Sequence, residues 1–207
     1  MKKNLLIVSG ILFSVIIGCT SNQEKQSSEP QLAPEVTEKT DENQKSAAEQ
    51  GLNYAMSTKA QLAKNLMGAI QDSGAANAIG FCNLHAYPIT DSLAQVYNLN
   101  IKRVTDKPRN PNNAANEIEL AHIETFKKAL ADGSEIESIV EETGETVNFY
   151  YPIITNGMCL QCHGTAGKEI DGATLSQLNK LYPDDQARDY AINQVRGIWS
   201  ISWNKES

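Results

Sequence analysis

Cys159-Leu160-Gln161-Cys162-His163 places two thiols and an imidazole within five positions, in the order Cys-x-x-Cys-His. That order suits covalent attachment of a haem: the thiols form thioethers with its two vinyl groups, and the adjacent imidazole turns towards the iron. Two other chemistries share paired cysteines. A structural zinc site asks for a second ligand pair, and a dithiol redox centre asks for a pair that begins a helix after a strand. The expectation is therefore one haem c held through Cys159 and Cys162, with His163 on the iron. The remaining imidazole nitrogen should donate to a backbone carbonyl, which fixes the ring.

The opposite side of the iron is open to several ligands. Cys82 lies on an apolar helical stripe with Ile79 and Ala86, facing inwards. A thiolate there would favour ferric iron, whereas a buried free thiol is also an ordinary core residue. His85 or His122 would give a bis-histidine site. Met56 or Met67 would give a His/Met pair, although methionines at helical spacing commonly fill cores. Met158 is too close in sequence to the attachment segment to cross the ring. A position left to water or a diatomic gas completes the set.

The first residues set the compartment. Lys2 and Lys3 precede the apolar run from Leu5 to Ile17, which is short for a membrane span and has the form of an export signal. It ends in Ile16-Ile17-Gly18-Cys19, similar to a bacterial lipobox, so residues 1–18 are expected to be removed and Cys19 lipidated. Acyl chains on Cys19 would tether the protein to a membrane. Thr20 at the next position resembles an outer-membrane address. Residues 19–45 are polar, with two prolines, and read as a flexible tether. Residues 46–207 suffice for one packed domain. The formal charge of −7 becomes more negative when Lys2 and Lys3 leave. No basic patch supports nucleic-acid binding, and the acidity favours a redox or signalling partner with a basic face.

Several elements must position these residues. Leu52, Met56, Leu62, Leu66 and Ile70 predict a helix over 46–72, and a second is expected from Ala75 to about Ala86, stopping before Pro88. Strands are expected at 100–105, 135–141, 145–154 and 197–203. A helix capped by Asn116 and Glu119 should run to Gly133, and a short one should span 171–182. Helices followed by a small antiparallel sheet make an α+β domain.

Ala78-Ile79-Gly80-Phe81-Cys82, the loop Arg103 to Asn113, Tyr150-Tyr151-Pro152-Ile153 and the Cys-x-x-Cys-His segment resemble one bacterial family of exported c-type haem domains. So do Tyr182 to Ala187 and Arg196-Gly197. The resemblance covers about 46–203 and implies a PAS-like antiparallel sheet with long N-terminal helices. It implies iron held between His163 and Cys82, and an arginine-and-asparagine loop of Arg103, Arg109 and Asn110 near the haem. A guanidinium there could pair with a propionate. The leading expectation is a membrane-tethered monohaem cytochrome in electron transfer. A redox or diatomic-gas (NO, CO or O2) sensor is the alternative. A peroxidase-like enzyme, with His85 as acid–base, is less favoured than either.

Overall fold

A computed structural model describes the backbone of residues 36–205 and the side chains from 46 onwards. The expected signal, Cys19 and residues 19–35 of the expected tether lie outside the described residues. The elements are helix α1 (Val36–Tyr97), strand β1 (Asn100–Val104), a 3-10 turn (Pro111–Asn113), helix α2 (Glu117–Ala131), strands β2 (Ile139–Thr143) and β3 (Thr146–Ile154), helices α3 (Leu160–His163) and α4 (Gly172–Leu181), and strand β4 (Val195–Asn204). The strands form one antiparallel sheet in the order β1-β4-β3-β2.

Helix α1 differs from expectation at both ends. It starts at Val36, inside the stretch read as a flexible tether. Glu, Lys and Gln are frequent there, and their helix propensity needs no apolar core. Gly74, with φ 78° and ψ 167°, breaks α1 into two arms at the expected place. The arms double back, so that the Tyr54 and Tyr97 rings lie 5.0 Å apart. The second arm continues through Pro88 instead of stopping before it. Pro88 leaves the Leu84 carbonyl without an intrahelical donor, but Leu84 is exposed, and water can serve it. Beyond Pro88, Leu93, Ala94 and Tyr97 gain burial against the sheet, which favours continuing the helix.

The sheet is covered on both faces. On one, Ile101, Phe149, Trp199 and Ile201 pack against α1. On the other, Val104, Tyr150 and Ile198 meet Ile123 and Phe126 of α2. The two-residue period of β3 puts Phe149 and Tyr150 on opposite faces. Phe149, Ile123 and Ile198 are fully buried, each worth about 1.5–3 kcal/mol in transfer from water. The capping box of α2 forms as expected, with Asn116 and Glu119 exchanging bonds of 2.9 Å. The β2–β3 hairpin turns at Gly144, and β2 runs over Ile139–Thr143 where 135–141 was expected. A third cluster joins Ile79 of α1 to Ile170, Leu178 and Tyr182, fastening the second arm beside α4. Among the described residues, no helix is long and apolar enough to cross a membrane.

Candidate functional site

A cavity of about 270 Å³ lies between the two arms of α1 and the sheet. Leu62 and Leu66 of the first arm and Phe81, Cys82 and Ala86 of the second form its apolar walls. The sheet side supplies Arg103, Thr105, Arg196, Gly197 and Trp199, and His163 enters from α3. Cys82 and His163, far apart in sequence, thus face one space. Gly197 allows the floor to be this close: a Cβ there would sit 2.4 Å from the Val104 carbonyl oxygen.

His163 ends the single turn of α3, whose backbone closes through Cys159. Its Nδ1 lies 2.8 Å from the Ala187 carbonyl oxygen, the type of partner expected from sequence. Arg196 Nε also approaches Nδ1, at 3.3 Å. One nitrogen cannot donate and accept at once, and the shorter contact assigns the proton to Nδ1, donated to Ala187. Burial holds the His163 pKa well below its usual value, and the Arg109 and Arg196 charges push the same way. The imidazole is therefore neutral at pH 7, with the Nε2 lone pair available as a ligand.

Arg109 and Asn110 do not line this cavity. Arg109 Nε instead pairs with Asp185 at 3.1 Å, and its Nη2 donates to the backbone carbonyls of Cys162 and Ala187. It braces the attachment segment, a role the sequence did not suggest. Asn110 caps the 3-10 turn, accepting from the Asn112 amide at 3.0 Å, because Pro111 at the first position leaves that cap to a side chain.

The guanidinium that does join Arg103 at the cavity is Arg196. Neither meets a carboxylate within 4 Å among the described residues. Burial lowers the pKa of both. Arg196 Nη1 donates to Thr105 Oγ1 at 3.0 Å and to the Lys107 carbonyl at 3.3 Å. Burial also raises the Cys82 pKa, opposed by the Arg109 and Arg103 charges. Cys162 is pushed up to about 11, chiefly by burial.

The other candidate ligands are placed elsewhere. His85 is exposed, its ring 5.0 Å from Phe81. His122 is buried under α2 on the opposite face of the sheet, 4.3 Å from the Tyr150 ring. Its Nε2 lies 3.2 Å from a Glu141 oxygen, too far off-line for a hydrogen bond. Met56 packs into the α1 face and Met67 is exposed. No disulfide joins Cys82, Cys159 or Cys162. Among the described residues, no three His, Cys, Asp or Glu side chains converge as a metal-binding group.

A family model described as Tll0287-like matches residues 28–204. Among solved structures, the crystal structure of the cyanobacterial heme-protein Tll0287 is similar, with a TM-score of 0.54 and 17% identity. The match covers 75% of this chain and 96% of that one. No curated protein matches. The shared fold is the expected PAS-like α+β arrangement, an open antiparallel sheet with long N-terminal helices.

Proposed function

The chain belongs to the Tll0287-like family, and on that premise we propose that it is a haem-binding redox or sensor domain. One observation carries the reading: His163, neutral and with Nδ1 engaged by Ala187, lines the same cavity as Cys82. The similar solved structure is described as a heme-protein, which supports it. The residues fit such a group. Cys159 and Cys162 would attach it, His163 and Cys82 would supply ligands to its iron, and Arg103 and Arg196 would meet the propionates. The cavity is just below the usual range of about 300–1,000 Å³ for small-molecule sites, so part of a large ring would lie outside it. When bound, the haem supplies one-electron and diatomic-ligand chemistry.

The chain's own contribution favours sensing over electron transfer. Burial opposes ionisation of the Cys82 thiol, while Arg109 and Arg103 favour it. The net shift is upward, towards the neutral thiol, the form that leaves iron readily. A steady electron carrier needs ligands that persist in both oxidation states. No pairing of His85 with the cavity supports the peroxidase reading. Export and anchoring through Cys19 belong to the same proposal, as does a redox or signalling protein partner. Removing Cys19 should release the mature domain from membranes with haem attachment intact, checked by fractionation and haem staining.

The deciding experiment is the optical spectrum of haem-loaded protein, ferric and ferrous, with and without carbon monoxide. A ferric thiolate signature that vanishes on reduction, followed by carbon monoxide binding, supports the sensor. A six-coordinate low-spin spectrum in both states, indifferent to carbon monoxide, would replace it with electron transfer.

A further inference from the structure

We propose that Asp185 is a positioning residue for His163: its carboxylate holds the Ala187 carbonyl on the imidazole Nδ1–H and so decides which ring nitrogen faces the cavity. The proposal deepens the reading above and rests on His163 as the iron ligand.

The Asp185 side chain is fully buried. It accepts from Arg109 Nε at 3.1 Å, Arg188 Nε at 2.9 Å and the Ala187 amide at 2.9 Å. Ala187, itself fully buried, is thereby held from its N–H side, and its carbonyl oxygen lies 2.8 Å from His163 Nδ1. Arg109 closes the arrangement from the other direction. Its Nη2 donates both to Cys162 of the attachment segment and, at 3.3 Å, to the same Ala187 carbonyl. One carboxylate thus organises the guanidinium and the amide that together aim the acceptor.

A purely structural duty would be to dock the loop, but other bonds already do this. The Asp189 amide donates to the Gly164 carbonyl at 3.0 Å and the Tyr190 amide to the His163 carbonyl at 2.9 Å. Those bonds follow the attachment segment without setting the direction of the Ala187 carbonyl. That direction matters for the ligand: an imidazole donating from Nδ1 to a fixed acceptor has its tautomer chosen, and the lone pair on Nε2 becomes a stronger donor.

The test uses the full-length chain at neutral pH, with ring-nitrogen chemical shifts read in the haem-free protein and the reduction potential read in the haem-loaded protein. Wild type is expected almost entirely as the Nδ1–H tautomer. In Asp185→Asn the Nε2–H fraction should rise at least about tenfold, the scale of one hydrogen bond. The potential should also rise, because the imidazole donates less and a negative charge beside Arg109 is gone. Arg188→Gln, which removes only the outer partner of Asp185, should leave the tautomer at wild type. Reduced stability with unchanged tautomer and potential would overturn the proposal, leaving Asp185 a loop anchor. If Asp185→Asn does not accumulate as folded protein, Arg109→Lys is judged by the same two readouts, since lysine keeps the charge but cannot bridge Cys162 and Asp185 together. A chain that binds no haem would sink the iron-ligand reading, while the tautomer would still decide the role of Asp185.

Discussion

His163 and Cys82 reach the same cavity from differently built walls. Behind His163, the Ala187 carbonyl, the Arg109–Asp185 pair and two backbone bonds to the 189–190 segment fix the side chain from several directions. Cys82 sits on the α1 arm between a glycine break at Gly74 and Pro88. That arm is fastened by apolar contacts, above all Ile79 against Ile170 and Leu178, and by a 2.6 Å bond from the Tyr87 hydroxyl to Asn113. Directional bonds specify one geometry, whereas apolar contacts tolerate small rearrangements. A protein that keeps one ligand and releases the other would need this asymmetry.

The comparison can be broken most forcefully at Asp185. Asp185→Ala leaves two guanidinia facing a buried void and should lose about 3–5 kcal/mol in chemical unfolding of the haem-free chain. A loss below about 1 kcal/mol would show that the His163 wall is held by something else. Acid should expose the same residue. Burial pushes the Asp185 pKa up, but Arg109 and Arg188 outweigh it, and the net shift is downward. Its stabilising contribution is therefore complete above the unfolded carboxylate value of about 3.9 and is lost as pH falls through the lower folded value. The stability difference between wild type and Asp185→Asn should accordingly shrink below about pH 4.

The other wall should yield smaller numbers. Gly74 adopts a backbone region that other residues enter at about 1–3 kcal/mol, and a Cβ there meets no atom within 4 Å. Gly74→Ala should show that backbone cost alone, read as a lower unfolding midpoint. Cys82→Ser should change stability by about 1 kcal/mol or less, yet alter the ferric spectrum of the haem-loaded protein. An unchanged spectrum would remove Cys82 from the iron and end the asymmetry as a functional argument.

Much of the layout was legible from local patterns. The capping box at Asn116, the break at Gly74, the alternation of β3 and the inward stripe carrying Cys82 all follow from short-range rules. The carbonyl partner of His163 could be anticipated in kind, though not as Ala187. Arg196 and Asp185 could not be reached this way. Arg196 comes to the cavity where β4 and β3 shift register between Ile153 and Ile154, and a bulge is not visible in alternation alone. Arg196-Gly197 and the 182–187 stretch entered only as part of the family resemblance, with no role attached to either residue. Asp185 sits in a loop of several acidic residues, and only burial separates it from exposed Asp184. Arg109 entered through the family resemblance, and its pairing with Asp185, 76 positions away, could not be read from local sequence. Pro88 misled because a helix tolerates proline when the freed carbonyl faces water.

The high pKa of Cys162 bears on the order of events during maturation. At about 11, roughly one such thiol in ten thousand is ionised at pH 7, and the thiolate is the reactive form. A chain that closed before receiving its cofactor would hold one of its two attachment points half-buried and protonated. On the proposed reading, thioether formation comes first, on an open chain emerging from export, and docking of the Ile79 arm against α4 comes afterwards.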